Sequence, residues 1–360
     1  NSSGSLHYAV ALRHKTELDY GEDKNSNSSY ADIVFWGDAN GDGVPEQNTS
    51  TGAPIEIAES TGTTGSAKAL LTAEFSRDFI EMKYAAFGDK KVNIHNTGNV
   101  VKGSPSSGKS TTAPYLANIA SNEEVELKNN SNIYGDIDLG KDTTGKSGKL
   151  DDYGANIYGT GPNYIERIDP DPLGLFTTGS QLNTAFKTYS ETNDNAKAVS
   201  VDSKGKTTTG LSGNQISVDK DIIMTLPAGN YYVSSIELKQ GCTLNIDVSS
   251  GSVNIYLTGK LESKNGTNIN VLPSGVAADK FMIFSNSTSD IEIKNSAAFT
   301  GLVYAPKANV IIHNEGDFYG MVWGKDVDIK NSGELVYDPR VKHKFLANSY
   351  SLFSWKEHRD

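Results

Sequence analysis

The fold class predicted by this sequence is mainly β: a parallel β-helix preceded by a small antiparallel sheet. Three observations carry that prediction. Apolar and polar residues alternate over short stretches, the mark of strands with one buried face. A pattern with a period near 20 residues recurs through most of the chain, which is the signature of a solenoid. The composition is rich in turn formers and poor in helix formers, with 35 Gly and with Asn, Ser and Thr in almost every stretch, against 36% hydrophobic residues and a mean hydropathy of −0.44. No run of about 18 apolar residues exists, so no membrane-spanning helix is predicted within these residues.

Residues 1–80 read as four antiparallel strands. Leu6, Tyr8, Val10 and Leu12 alternate with His7, Ala9, Ala11 and Arg13. Further strands are predicted over 31–36, 54–58 and 67–75, with polar connections at 21–29 and 37–52.

Residues 81–345 read as the solenoid. Its repeat is apolar, apolar at +2, Asn at +4, apolar at +8, Gly at +10 and apolar at +12. Val125, Leu127, Asn129, Ile133, Gly135 and Ile137 fit it, as do Ile291, Ile293, Asn295, Phe299, Gly301 and Val303. Val310, Ile312, Asn314, Phe318, Gly320 and Val322 are a third copy. Val327, Ile329, Asn331 and Leu335 give a shortened one, and Val92, Ile94, Asn96 and Val100 one without the Gly. The +4 asparagines are expected to stack as amide ladders at an inward corner, and the +10 glycines to mark a bend. The stretch 141–220 breaks the pattern. It holds Asp169-Pro170-Asp171-Pro172-Leu173-Gly174, a turn that no central strand accommodates, and one short helix is predicted over 182–189. This stretch is expected to be an excursion packed on the solenoid's side. Residues 346–360 are expected to be a C-terminal tail.

The sharpest local motif is Asp38-Ala39-Asn40-Gly41-Asp42-Gly43-Val44-Pro45-Glu46. Oxygen ligands at alternate positions with Gly at the sixth match the first half of an EF-hand calcium loop. Asp38, Asn40, Asp42, the Val44 carbonyl and Glu46 are the predicted ligands of a structural calcium ion. The twelfth position, Thr49, departs from the bidentate Glu of that motif, and no helices flank the loop.

Other chemistry finds little support. Residues 103–110, Gly-Ser-Pro-Ser-Ser-Gly-Lys-Ser, satisfy the phosphate-loop pattern. Such a loop needs a buried strand before it and a helix N-terminus after it, whereas Thr111, Thr112 and Pro114 oppose a helix. A flexible loop is therefore expected. His95 and His313 fall at +3 of the repeat and are expected to point into solvent. Cys242, the single cysteine, cannot form an internal disulfide and is expected to be buried and inert. Asp151-Asp152 and Asp169/Asp171 read as solvated loop charges, and Tyr304, Tyr319, Trp323 and Tyr337 as core or rim packing. No catalytic residues are predicted. The formal charge is −11, and only five of the 33 basic residues are arginine, which argues against a nucleic-acid partner.

The C-terminal third resembles a known family. Residues 299–308 (Phe-Thr-Gly-Leu-Val-Tyr-Ala-Pro-Lys-Ala), then 318–322 (Phe-Tyr-Gly-Met-Val), then 335–338 (Leu-Val-Tyr-Asp) are similar to PilX-type minor pilins of type IV pili that carry a β-solenoid domain. Residues 226–233 are similar to that group's opening solenoid strand, and 54–62 to the last strands of its pilin sheet. The resemblance implies a pilin-like sheet, a solenoid, and a long N-terminal helix upstream of these residues. It implies a non-enzymatic subunit on an extracellular, cell-surface pilus. Other pilin subunits would be its partners through that helix, and the helix would be its membrane contact before assembly. The solenoid would meet a surface or polysaccharide ligand. The competing reading is a carbohydrate-active β-helix enzyme or carbohydrate-binding module. Lyases on that scaffold place calcium and an Arg or Lys base over a lateral groove. Here the calcium motif lies outside the solenoid, and Arg167 and Arg340 are the only arginines in the solenoid region.

Overall fold

A computed structural model describes residues 7–21, 23, 26–37, 45–48, 52–64, 67–95, 99–128, 131–296, 298–330 and 333–359. The chain forms two compact units, Asn1–Met82 with Lys342–Asp360, and Lys83–Val341.

In the first unit, β1 (His7–His14), β2 (Phe35–Gly37), β3 (Glu46–Asn48), β4 (Ala53–Pro54), β5 (Glu56–Thr64) and β6 (Ala67–Ile80) follow one another. The four-stranded antiparallel sheet runs β1, β5, β6, and then the C-terminal strand Phe345–Arg359. This corrects two expectations. The segment expected as a tail from 346 onward forms, through Arg359, the fourth strand of the sheet, Phe345–Arg359. The predicted strand at 31–36 is not in that sheet; β2 pairs instead with β3 and β4 in a separate ribbon. The physical reason is edge availability. One side of β6 is filled by β5, and the 15-residue C-terminal strand satisfies the other side's backbone groups. Val34, Ala53, Ile55, Ile57 and Met82 are buried apolar residues of this unit.

The second unit is a three-walled parallel β-helix. Wall one stacks residues 229–233, 253–257, 281–285, 302–304, 322–324, 86–88, 119–121, 137–139 and 163–164, in that spatial order. Wall two stacks 215–218, 235–238, 261–263, 291–295, 310–314, 326–330, 91–94, 124–128 and 149–153. Wall three has two stretches. One runs through 299–300, 318–319, 335–337, 99–102, 132–133 and 156–157. The other, 223–227, 243–247 and 268–272, is extended by antiparallel strands at 199–201 and 207–209.

The spatial order is not the chain order. The chain enters mid-stack at Tyr84 and winds outward to Tyr164. It then crosses back along the stack and winds from the far end until 322–330 pairs with 86–94. The expected excursion over 141–220 is therefore only partly one. Residues 149–153, 156–157, 163–164 and 215–218 are rungs, whereas 165–198 is the crossover. The crossover contains α1 (Gln181–Glu191), capped by the Ser180 hydroxyl, which accepts from the Asn183 N–H at 3.1 Å.

Inward rows are apolar and close-packed. Tyr231, Ile255, Ile283, Val303, Val322, Ala86, Ile119 and Ile137 form one continuous buried row on wall one. The +10 glycines sit at corners as predicted. Gly320 has φ +139, and a Cβ there would lie 1.9 Å from the Gly301 carbonyl oxygen. Asn295 and Asn314 share a column, while Asn96, Asn129 and Asn331 lie outside the described residues. Amide ladders do form, at positions the repeat did not single out: Asn99–Asn132–Asn156, Asn230–Asn254 and Asn245–Asn270.

Candidate functional site

Four features of the two units bear on function. The first is the bare face of the four-stranded sheet. Paired residues lie on the same face of an antiparallel sheet. Leu12, Ala58, Ala73 and Trp355 therefore form one row, and Val10, Ser60, Leu71 and Glu357 the next. Tyr8, Gly62 and Ala69 continue the pattern. The edge strands carry the bulk: Tyr8 is 79% exposed, Leu12 71% and Trp355 66%. The central strands carry mostly small residues, with Leu71 standing among them. The result is a shallow apolar trough three strand spacings wide, about 14 Å at ~4.8 Å per strand.

The second feature is the outer side of wall one. Tyr256, Phe284, Tyr304, Trp323 and Phe87 face outward there in one row, yet all are buried. The crossover covers Tyr256, Tyr304 and Trp323. The Trp323 indole N–H donates to the Pro170 carbonyl at 2.8 Å, and the Tyr304 hydroxyl donates to Asp171 Oδ1 at 2.6 Å. Phe186 of α1 packs edge-on to Tyr256 with ring centroids 5.2 Å apart. Asp171 also accepts from the Leu175 and Phe176 backbone N–H groups, both at 2.8 Å. The expectation of a solvated charge at Asp171 is thus overturned, because its carboxylate organises the turn that covers the aromatic row. Burial, followed by the neighbouring Asp171, holds the Tyr304 phenol above its ordinary range.

The third feature is the outer side of wall two, an ordered carpet of charge. One row reads Glu237, Glu262, Glu292, Ile311, Asp328, Asn93, Glu126 and Asp151. Lysines flank it. Lys91 lies 2.5 Å from Glu126, Lys294 2.7 Å from Glu292 and Lys330 2.5 Å from Asp328. Hydrogen bonds from Lys128 and Lys91 hold the Glu126 carboxyl down to about 2. His95 and His313 belong to this carpet. They are half-buried rather than solvated, and burial pushes both imidazoles below their ordinary value. His95 Nε2 lies 3.7 Å from Asp328 Oδ1, and neither atom has a hydrogen-bond partner.

The fourth feature is the exposed end of wall three, where Tyr115, Tyr134 and Tyr158 cluster beside the Asn99–Asn132–Asn156 ladder.

The remaining motifs resolve as follows. Of the predicted calcium ligands, Asp38, Asn40, Asp42 and Val44 lie outside the described residues. Glu46 opens β3 opposite Gly37 of β2, so the loop joins two paired strands. Among the described residues no group of three or more His, Cys, Asp or Glu is placed to hold a metal ion. The phosphate-loop match is a β-hairpin, with Lys102 opposite Ser110 and Ser104 opposite Gly108. Its Lys109 is paired with Glu334 at 2.7 Å and Asp317 at 3.1 Å. Cys242 is buried, and burial pushes its thiol up to about 11.

The family described as "Domain of unknown function (DUF7305)" matches residues 180–344, from the cap of α1 to just past the last rung, less than half of the chain. No curated protein matches the sequence. Two solved structures are similar at low levels. One is the competence-associated pilin ComZ from Thermus thermophilus, at 10% identity over 98% of this chain and 88% of that one, with a TM-score of 0.27. The other is the DUF3494 domain of ice-binding protein_1 from Shewanella frigidimarina, at 12% identity over 71% and 94%, with a TM-score of 0.32.

Proposed function

We propose that the chain is a non-enzymatic subunit of a type IV pilus, of the minor-pilin kind, which displays its β-helix on the cell surface for contact with a surface or ligand. The observation that carries this reading is the apolar trough on the four-stranded sheet. An α-helix with its side chains is about 10–12 Å across, which fits between Leu12 and Trp355. A helix laid there would remove Tyr8, Val10, Leu12, Leu71 and Trp355 from water, at about 25 cal/mol per Å² of apolar area buried. In this reading the helix lies upstream of residue 1, and other pilin subunits are the partners it binds.

The test is the native protein with its upstream sequence. About 20 apolar residues are expected ahead of residue 1. In the assembled filament, cysteines placed at Leu12 and Trp355 are expected to lose reactivity towards a water-soluble maleimide. An upstream sequence without such a stretch, or cysteines that stay fully reactive, would refute the reading.

In the same proposal, a structural calcium ion held by Asp38, Asn40, Asp42, the Val44 carbonyl and Glu46 pins the β2–β3 connection. Millimolar calcium should then raise the melting temperature of the wild type and leave that of Asp38→Ala unchanged.

A further inference from the structure

We infer that the exposed end of wall three is a binding strip for a neutral, extended polysaccharide, built from Tyr158 and Asn156 on a base of Tyr115, Tyr134 and Asn132. Residues 149–164 form the terminal rung, and none of them is buried, whereas the rung before it is largely buried. On this bare rung Tyr158 is 46% exposed. Its ring stacks on Tyr134 one rung below, with centroids 4.3 Å apart and planes within 4°. Tyr115 leans against both, at 6.1 and 6.3 Å. The stack covers one face of the Tyr158 ring, and among the described residues no strand pairs with the outer side of 156–157 to cover the other.

Beside the rings runs a directional amide relay. Asn156 Nδ2 donates to Asn132 Oδ1 at 2.9 Å, Asn132 Nδ2 donates to Asn99 Oδ1 at 2.7 Å, and Asn99 donates to the Glu334 carboxylate. The relay fixes each amide's orientation. It leaves the second N–H of each Asn and the terminal Asn156 carbonyl to bond outward.

A pyranose ring presents an apolar C–H face and a rim of hydroxyls. The free Tyr158 face meets the first, and the Asn156 amide on the same rung meets the second. The charge around the strip selects against polyanions. Asp136 is bonded to the Thr160 N–H and hydroxyl, Glu334 anchors the relay, Lys109 is already paired, and the chain as a whole carries −11.

This inference rests on the surface-display reading for its setting, but its test does not require a pilus. The purified chain is run in native gels cast with hydroxyethyl cellulose, konjac glucomannan or alginate. Expected are a mobility reduced at least twofold by the two neutral polymers, none by alginate, loss of the reduction in Tyr158→Ala and in Asn156→Ala, and its partial retention in Tyr158→Phe. Tyr30→Ser, at an exposed aromatic of the first unit outside the trough, should bind as wild type. Melting curves superimposable on wild type separate lost binding from lost fold, and Tyr158→Phe keeps the stacking ring if Tyr158→Ala fails to fold. Wild type unretarded by both neutral polymers, retardation by alginate alone, or retardation surviving the Tyr158→Ala/Asn156→Ala double substitution would overturn the inference. A chain that binds glucomannan yet lacks an upstream helix would refute the pilin reading and leave the strip standing.

Discussion

His95 and His313 show how a repeat position misleads at the scale of single residues. Period two sends both side chains outward, and the sequence therefore predicts solvent. In the structure they lie flat in a carpet of neighbouring side chains, because every rung delivers its outward residues at the same height as the rung beside it. Burial lowers both imidazole pKa values, ahead of the opposing pull of Asp328. An imidazole whose pKa is lower in the folded than in the unfolded chain binds its proton preferentially when unfolded. Their contribution to stability is therefore complete above the ordinary value of 6.5 and is lost as pH falls through the lower folded values. Urea unfolding between pH 7.5 and 5 is expected to show stability falling in wild type and a flatter profile in His95→Gln/His313→Gln. Equal slopes would show that these imidazoles do not soften the molecule in acid. Asp171 is a second residue the sequence could not place. Two residues either side of a proline read as loop, and its real partner, Tyr304, lies 133 positions away.

The crossover is the element whose existence was legible and whose purpose was not. A Pro-rich turn and one short helix are visible in 165–191, but only the outward aromatic row on wall one explains why they lie where they do. Leu182 and Phe186, one helical turn apart, are the buried residues of α1. Phe186→Ala should cost about 3 kcal/mol. It should also speed amide exchange across 181–191 and uncover Tyr256, while leaving exchange at the buried rungs 119–139 unchanged. Exchange that rises everywhere equally would mean α1 has no identity apart from the stack. The four-stranded sheet teaches the same lesson differently. Three of its strands were within reach of period two. The fourth, Phe345–Arg359, breaks that period with two register shifts against β6 and pairs with a segment far away in sequence, so it read as a tail.

At the scale of the whole molecule, the repeat announced rungs without giving their order. Ladder pairing is a nearest-neighbour property, and periodicity does not say which neighbour a rung will find. The stack closes where 322–330 meets 86–94, with Val322 opposite Ala86 and Val327 opposite Val92. Val92→Asp would bury an unpaired carboxylate at this seam, at a cost of roughly 4–5 kcal/mol. If the seam joins both windings into one cooperative body, fluorescence and far-ultraviolet dichroism should shift together to lower denaturant. Two separated transitions would show that the outward winding, 84–164, holds by itself.

The seam also sets a timetable. A chain leaving the ribosome presents the 86–94 edge long before its partner at 322–330 has been made. Until then that edge can be met by nothing the chain itself has supplied. Completion of this unit is therefore a late event, and the interior of the stack stays open to water at that edge until the second winding arrives.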